Sequence, residues 1–388
     1  MKKSLSMLLI TFFVLSLTAC GTAAAGPAQP AETIKIGHQA ALSGPSALWG
    51  QSEKNALLME VERVNAAGGV LGKQIEYIVY DNKDDQADAV NVVKRLISEG
   101  VVAIIGPGAS GPAIAAAPIV EDAKIPMIGT TPTNVKVTLD DEGAARKYTF
   151  RACFIDSYQG EVAATFALDI LKVKTAAILS DIGSDSSQGL TEFFKEKFTE
   201  LGGQIIAEEA FRSEELDYRA QLGKIRDVHP DMLFIPTSQK EAGLAMKQAR
   251  EMGMTCIFMG GDAWASQELI DLGGAATEGG YYVNLVSLED PIIETWLNEY
   301  RERYKGDPTM PNPVMAVDAF RLIINAIEST ESTDPVVLAE YMSNAKDVPV
   351  LTGLLSIDPA NHNPLNKPAV IETIKEGKFA FVQGVAAK

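Results

Sequence analysis

Short apolar runs alternate regularly with amphipathic segments from Thr33 onward, and this alternation constrains the fold more than any other feature of the sequence. The runs that begin at Ile34, Ile75 and Val101 are rich in β-branched residues and bounded by glycine, as strands are. Within residues 57–64, apolar side chains follow the helical spacing i, i+4, i+7. A strand-helix-strand alternation predicts parallel strands with helices on both faces of the sheet.

The same alternation begins again after Arg151. It predicts helices near residues 159–170, 190–201 and 241–252, and strands at 176–179, 204–211, 232–235 and 257–259. Two such alternations within 388 residues predict an α/β fold of two doubly wound, parallel-sheet lobes. The polar stretch 130–147 has no clear period, and we predict no element there.

The residues before this alternation have a different character. Lys2 and Lys3 precede an apolar run at 7–17 that is too short to span a bilayer, and small residues then lead to Cys20. This pattern predicts an export signal at 1–19. It resembles a bacterial lipoprotein signal, which implies cleavage before Cys20 and a lipid on its sulfur; an ordinary signal peptide with an incidental cysteine is the alternative.

The Ala- and Pro-rich residues 20–32 are typical of a flexible tether. We therefore expect the protein in the periplasm or on the outer face of the cytoplasmic membrane, attached to a membrane only through its lipid. The mean hydropathy of +0.05 excludes a polytopic membrane protein.

Charge and the metal-binding residue types exclude several function classes. Asp and Glu number 51 against 34 Lys and Arg, an excess that repels phosphate backbones, so we expect no nucleic-acid partner. The three histidines have no metal-ligand spacing, and we predict neither a metal nor a cofactor. Cys153 and Cys256 both adjoin apolar runs, which predicts buried free thiols rather than a disulfide.

Four loops that directly follow predicted strands carry polar or aromatic side chains. Ligands of doubly wound sheets bind outside the carboxyl ends of the strands, so these loops form the candidate site. They are 41–50 with Trp49, 106–112 with Ser110, 129–134 with Thr131 and Thr133, and 258–264 with Asp262. The free amides of 106–112, together with the Ser110 hydroxyl, suit a carboxylate.

Each of these side chains also has a purely structural explanation, such as capping a helix or holding its own turn. Together, hydroxyls and amides on one lobe and a carboxylate on the other complement a zwitterion. Asp262 is the only acidic residue that we place at a strand end in the second lobe. We therefore predict that it binds the ammonium group of an amino acid whose carboxylate faces the first lobe.

Several motifs, taken in order, resemble the type I periplasmic binding proteins of the leucine/isoleucine/valine-binding branch. They are Leu42-Ser43-Gly44-Pro45, Trp49-Gly50, Asn65-Ala66-Ala67-Gly68-Gly69, Ile104-Ile105-Gly106 with Ser110, and Arg151 followed by Asp156-Ser157-Tyr158-Gln159-Gly160. The resemblance covers nearly the whole chain after residue 33. It implies a monomer of two lobes joined by three crossing segments, a ligand trapped by hinge closure, and delivery to the membrane permease of an ABC transporter.

The resemblance also implies a role for each candidate residue. By position, Ser110 and Thr133 match hydroxyl ligands of the α-carboxylate, and Thr131 matches a position that contributes backbone. Asp262 falls on the acidic ligand of the ammonium group, and Trp49 on an aromatic wall of the side-chain pocket. The ligand class that follows is a neutral, mainly apolar amino acid.

Two departures from the family pattern weaken any assignment of leucine itself. Ser238 replaces a family tyrosine that touches the ligand. Asp84 and Ala109 occupy the two positions of a family disulfide, which is therefore absent.

The expected crossings lie where one alternation ends and the other resumes, near residues 151–154, 279–282 and 351–357. The N-terminal lobe then comprises residues 33–151 and 281–352, and the C-terminal lobe comprises 152–280 and 353–388.

Three other functions stay open at this point. Trp49, Trp264 and Phe154 could line a flat pocket for an aromatic acid, and the closed protein could signal to a sensory receptor instead of a permease. A remote alternative is a lipid-anchored hydrolase, because residues 110, 262 and 362 follow the order Ser, Asp, His. Pro112 replaces the closing glycine of a nucleophile elbow, so we predict a binding protein rather than an enzyme.

Overall fold

The structure is a computed structural model that describes residues 32–309, 311–365 and 367–386. The predicted export signal, Cys20 and the predicted tether up to residue 31 lie outside these residues. Within the described ranges, no helix is both long and apolar enough to cross a bilayer.

The first alternation forms a parallel five-stranded sheet with the strand order β2-β1-β3-β4-β5. Its elements are β1 (Thr33–Ala40), α1 (Ala47–Ala66), β2 (Gln74–Asp81), α2 (Gln86–Ser98), β3 (Ala103–Ile105), α3 (Ser110–Ala123), β4 (Met127–Gly129) and β5 (Thr149–Arg151). In α2, Val92, Val93 and Leu96 are buried, and Asp85 caps the helix by accepting from two backbone amides. Amphipathic spacing thus selects the helix face that packs on the sheet.

The second alternation forms a sheet in which β7-β6-β8-β9-β10 repeats the strand order of the first sheet. Its elements are α4 (Asp156–Asp169), β6 (Thr175–Asp181), α5 (Asp185–Glu200), β7 (Gln204–Phe211), α6 (Arg219–Asp227), β8 (Met232–Phe234), α7 (Gln239–Glu251), β9 (Ile257–Gly260), α8 (Gln267–Gly273) and β10 (Tyr281–Asn284). In both sheets the chain adds its second strand on one side of the first strand and the following strands on the other side. This reversal of strand order opens a crevice beside the first strand. The predicted doubly wound α/β fold is confirmed.

An antiparallel hairpin extends the second sheet beyond β10, and the sequence analysis did not predict it. β14 (Ala369–Lys375) pairs with β10, and β15 (Lys378–Val385) pairs with β14, which makes the sheet seven-stranded. The connecting residues Glu376 and Gly377 both have positive φ, as a tight two-residue hairpin turn requires. The second sheet is therefore mixed rather than purely parallel.

The remaining elements return to the first lobe and then pass back. They are α9 (Glu294–Tyr304), α10 (Asn312–Thr330), α11 (Pro335–Ser343), β11 (Val348–Val350), β12 (Gly353–Ile357) and β13 (Pro364–Leu365). The Tyr304 hydroxyl donates to the Asn55 carbonyl at 2.9 Å, and Asn312 donates to Glu53 at 2.9 Å, which fixes these helices against α1. β11, β12 and β13 form a separate antiparallel sheet.

Sheet membership differs from the expected lobe boundaries at two places. β10 lies in the seven-stranded sheet because it pairs with β9 and β14, so the chain leaves the second lobe after Asn284 rather than before residue 281. His362 Nδ1 lies 3.3 Å from the Thr149 carbonyl of β5, so the segment before β14 contacts the first lobe. We propose that the return crossings follow β10 and precede β14.

The two lobes touch each other across the crevice. Ser186, at the start of α5, donates its hydroxyl to Ser110 Oγ at 2.9 Å, and Asn134 Nδ2 donates to the Asp185 carbonyl at 2.8 Å. Gln86 Nε2 reaches Asp185 Oδ2 at 3.4 Å. The lobes therefore adopt a closed arrangement.

Both cysteines of the described chain are free. Cys153 is fully buried, and burial raises the pKa of its thiol to about 12, so the thiol stays protonated at neutral pH. Cys256 is half-buried. The prediction of free thiols is confirmed, with Cys256 less buried than expected.

Candidate functional site

A cavity of about 180 Å³ lies between the lobes at the carboxyl ends of the strands. This volume is below the roughly 300–1,000 Å³ of pockets for drug-sized ligands, so the cavity suits a small molecule. The helices α3, α4, α5 and α7 begin at its edge, next to lining residues 109, 156, 184 and 238. Helix N-termini and strand ends meet here because every strand of a doubly wound sheet delivers its next loop to the same edge.

Two carboxylates, the buried Asp156 and the half-buried Asp262, form the wall that the second lobe contributes. Asp262 follows β9, and its Oδ1 accepts a 2.9 Å hydrogen bond from Gln159 Nε2. Asp156 is the first residue of α4, and neither of its carboxylate oxygens has a hydrogen-bond partner in the described part of the chain. A side chain at Gly189 would place its Cβ only 2.2 Å from Asp156 Oδ2, so the glycine makes room for this carboxylate.

Burial raises the pKa of both groups. The pKa of Asp156 rises to about 7, and the negative charge of Asp262 adds to the effect of burial. The pKa of Asp262 rises to about 6, although hydrogen bonds from Gln159 and local backbone amides oppose the rise. Both values lie above the ordinary 3.8, so these carboxyls favour the folded state below that pH and lose this contribution as pH rises through about 6 and about 7.

These two carboxylates lower the stability of the unliganded protein at neutral pH and favour the binding of a cation. A buried, unpaired carboxylate lowers stability at neutral pH unless a cation is placed beside it. Such a pair of groups is therefore suited to a ligand that carries positive charge.

The first lobe contributes hydroxyls and backbone amides opposite this wall. Thr131 and Thr133 both line the cavity, and the Thr131 hydroxyl donates to the Gly108 carbonyl at 2.9 Å. The cap position of α3 is Ala109, whose side chain cannot accept from the first amides of the helix. These amides and the helix dipole favour an anionic group at this side of the cavity.

A buried arginine holds the conformation of the loop that carries Thr131 and Thr133. Arg151, at the end of β5, donates to the Pro132 carbonyl at 2.7 Å and to the Asn134 carbonyl at 2.8 Å. Its third partner is the Thr138 hydroxyl at 3.2 Å. Charge-assisted bonds to two carbonyls fix the loop that presents Thr133.

The structure brings together five of the seven side chains that the sequence analysis proposed as ligands. Those five are Trp49, Thr131, Thr133, Ser238 and Asp262. Ser110 is fully buried behind the cavity, where its Oγ accepts from Ser186 and from the Asn134 amide at 3.2 Å. Its part in carboxylate binding stays a prediction, since lobe closure directs its hydroxyl to the other lobe here.

Two aromatic side chains proposed for a flat pocket lie elsewhere. Phe154 packs in the core, edge-on to Tyr158 with ring centroids 5.9 Å apart. Trp264 is fully buried, and its Nε1 donates to the Ile235 carbonyl at 3.1 Å. Of the three aromatic residues considered, Trp49 alone borders the cavity, so the flat pocket proposed from all three does not form.

Glu53 and Asp84 place two more carboxylates on the lining, both from the first lobe. Glu53 is satisfied by the Thr130 hydroxyl at 2.6 Å, by Asn312 Nδ2 at 2.9 Å and by His38 Nε2 at 3.2 Å. Asp84 accepts one hydrogen bond, from the Ser46 hydroxyl at 2.5 Å. Both residues escaped the sequence analysis, which noted residue 84 only as a missing cysteine.

The most consequential omission of the sequence analysis is Asp156. Asp262 is not the only acidic residue of the second lobe at the site, because α4 begins at the cavity directly after the first crossing. Asp156 and Gln159 stand in one of the motifs that carry the family resemblance. One signal in the sequence could have identified Asp156: a pair of polar residues in the first turn of a helix that directly follows a crossing segment.

The residues considered for a hydrolase do not assemble. His362 stacks on Phe150, with centroids 4.4 Å apart, and it is not among the residues that line the cavity. Ser110 has Ser186 and the Asn134 amide as partners instead of a histidine. No group of three or more His, Cys, Asp or Glu residues in the described part of the chain is arranged to hold a metal ion.

Comparisons with known proteins agree with this architecture. The family described as periplasmic binding protein matches residues 33–378. The leucine-, isoleucine-, valine-, threonine- and alanine-binding protein of Pseudomonas aeruginosa is 28% identical over 330 residues, covering 84% of this chain and 86% of that protein.

Two solved structures are also similar. The leucine-binding protein LivK of Thermotoga maritima is 32% identical with a TM-score of 0.84, covering 91% of this chain and 99% of that one. The branched-chain amino acid transporter substrate-binding protein LivJ of Streptococcus pneumoniae, solved with isoleucine, is 30% identical with a TM-score of 0.83, covering 92% of this chain and all of that one, 100%.

Two doubly wound lobes that enclose a polar cavity at their strand ends define a two-lobed substrate-binding protein. The chain belongs to the type I periplasmic binding proteins, in the leucine/isoleucine/valine-binding family. Members of this family are substrate-binding proteins.

Proposed function

We propose that this protein is the extracytoplasmic substrate-binding component of an ABC transporter and that it captures an α-amino acid. The observation that carries the proposal is the buried carboxylate of Asp156, unpartnered and beside Asp262. An α-ammonium placed between them would be held at this wall, and the α-carboxylate would face Thr131, Thr133 and the amides at the start of α3. The ligand is released to a membrane permease without chemical change, and the binding protein acts as a monomer.

Hinge closure is the mechanism of capture. Each lobe supplies one half of the polar groups that a zwitterion needs, so the ligand binds the closed arrangement more tightly than an open one and shifts the population toward it. The hydrogen bond between Ser186 and Ser110 supports this proposal, since it adds a direct contact between the lobes that only closure permits.

The contacts of the cavity support the α-ammonium and α-carboxylate groups of the ligand more strongly than they support an apolar ligand side chain. The names of the relatives and the ring of Trp49 favour a neutral aliphatic ligand, as the sequence analysis expected. An aromatic acid comes second, because a ligand without an ammonium group would leave Asp156 and Asp262 unpaired.

Titration calorimetry with matched ligands tests the amino-acid proposal. We expect α-amino acids to bind at least about a hundredfold more tightly than the same molecules without the amino group, because the deaminated acid leaves two carboxylates without a cation. Small-angle scattering on the same samples should show a smaller radius of gyration at saturating ligand. Equal affinity for the amino acids and their deaminated analogues would overturn the ammonium site, and an unchanged radius would argue against hinge closure.

We also propose that Cys20 carries the membrane anchor. The short apolar run, the small residues before Cys20 and the Ala- and Pro-rich stretch after it support a lipid on this sulfur. Replacing Cys20 with Ala is expected to move the protein from the membrane fraction to the soluble fraction, as measured by immunoblotting of fractionated cells. Cys256→Ala is the matched control and should stay in the membrane fraction. Retention of the Cys20 variant at the membrane would contradict a lipid anchor.

A further inference from the structure

The cavity is more acidic than a neutral amino acid requires. Four carboxylates line it, from Glu53 and Asp84 on the first lobe and from Asp156 and Asp262 on the second. Among the described lining residues there is no lysine, arginine or histidine. One α-ammonium and one α-carboxylate would leave this negative charge unbalanced.

The four carboxylates form two separate groups. The negative charge of Asp262 helps to raise the pKa of Asp156, and the negative charge of Glu53 helps to raise the pKa of Asp84. Burial raises the pKa of Asp84, with Glu53 as a further cause. The cavity therefore has one acidic end in each lobe.

Asp84 is the member of the first-lobe group with free capacity to bind. Three donors already occupy Glu53, including His38. Asp84 is half-buried on the wall, and within the described ranges it forms no ion pair and accepts one hydrogen bond, from the Ser46 hydroxyl. A carboxylate has about four acceptor positions, so most of the capacity of Asp84 is available to a ligand.

The rest of the lining mixes polar and apolar groups. Asn82, Ser184, Thr237 and Gln239 add hydrogen-bonding groups, beside apolar residues that include Leu190 and Pro236. Trp49 is compatible with either ligand, because an indole face attracts cations as well as alkyl chains.

From these contacts we infer that the ligand is an α-amino acid whose side chain ends in a cation, of the lysine and ornithine class, with the side-chain ammonium at Asp84. The inference rests on the proposed function, since it places the α-ammonium at Asp156 and Asp262. The methylene stem of such a side chain lies along Trp49 and joins the two acidic ends of the cavity. A ligand with two cations and one carboxylate offsets more of the negative charge of the cavity than a neutral amino acid does.

Calorimetry with L-lysine and L-norleucine tests this inference, since the two differ only in the terminal ammonium. We expect lysine to bind at least about tenfold more tightly than norleucine. Asp84→Asn should remove most of this preference and change norleucine affinity by less than about twofold, because asparagine also tolerates the positive φ of residue 84. Asp141→Asn, which removes an exposed charge from the same lobe, should leave both affinities unchanged.

The outcomes separate the two proposals. If norleucine or leucine binds as tightly as lysine, the cationic side chain is wrong and the amino-acid site stands. If cadaverine, which lacks the carboxylate, matches lysine, or if no α-amino acid binds, the proposed function itself fails. The ratio of lysine to norleucine affinity in the unmodified protein decides the matter even if Asp84→Asn does not fold.

Discussion

Asp262→Ala is expected to weaken amino-acid binding by more than about a hundredfold, because the ammonium group would be left beside a single carboxylate in a buried site. Asp262 is half-buried in the closed cavity and receives one hydrogen bond from Gln159, so water replaces the lost charge less well than it would at the surface. Titration calorimetry at pH 8 measures the change in affinity. The exposed Asp271→Ala of the same lobe serves as the control and should bind as the unmodified protein does.

The same wall sets the pH dependence of binding. An ammonium group needs an ionised partner, and in the free protein the pKa values of Asp262 and Asp156 are raised to about 6 and about 7. Affinity is therefore expected to fall as pH drops through this range, whereas the unliganded protein gains stability from the same protonation. An affinity that stays constant between pH 8 and pH 5, or an intact affinity in Asp262→Ala, would show that the ammonium group lies elsewhere.

Lys367→Met is expected to lower the free energy of unfolding by about 3–5 kcal/mol, since it leaves a buried carboxylate without its cation. Lys367 Nζ lies 2.7 Å from Asp318 Oδ2 and 2.9 Å from the Thr352 hydroxyl. Both charged side chains are buried, at 5% and 0% exposure, so solvent does not screen the pair. The pair joins helix α10 to the segment that leads into β14.

Urea unfolding of the purified protein measures this effect. Lys378→Met, at an exposed position at the start of β15, is the control and should stay within about 0.5 kcal/mol of the unmodified protein. The double variant with Asp318→Leu should recover much of the loss, because it removes the stranded charge. A loss below about 1 kcal/mol in the single variant would mean that this pair does not hold the crossing segment.

The predicted loss of stability at Lys367 and the predicted loss of binding at Asp262 have different physical origins. The ion pair of Lys367 is complete within the protein and stabilises the connection between the lobes. The carboxylates of Asp156 and Asp262 form no ion pair within the described ranges, and the charge of the nearby Arg151 offsets burial only in part, so the unliganded protein carries their cost at neutral pH. A ligand that supplies the cation removes this cost, which makes its binding free energy more favourable. Closure around the ligand couples binding to the relative position of the lobes.

Much of the fold followed from local patterns in the sequence. The apolar spacing at residues 57–64 and the β-branched runs of β1 and β2 predicted elements that the structure contains. The hairpin of β14 and β15 was missed, since the sequence was not divided into elements beyond β9. The order of strands in each sheet also required the structure, because periodicity shows which residues face a sheet and not which strand lies beside which.

The residues of the candidate site were likewise predicted from the sequence only in part. Placing ligands at strand ends brought Trp49, Thr131, Thr133 and Asp262 to one cavity, because this rule depends only on the direction of parallel strands. Ser110 follows a strand as they do, yet closure buries it against Ser186. Its final contacts are set by the other lobe.

By itself, the sequence determined the two-lobed α/β fold, the edge of the sheets that bears the site, and one of its acidic groups. Only the tertiary structure decided that Asp156 stands unpartnered beside Asp262 and that Asp84 shares their cavity. The physical reason is distance along the chain. Asp156 and Asp262 come from different elements of one lobe, which its tertiary fold brings together, and Asp84 joins them only when the crossing segments bring the two lobes face to face.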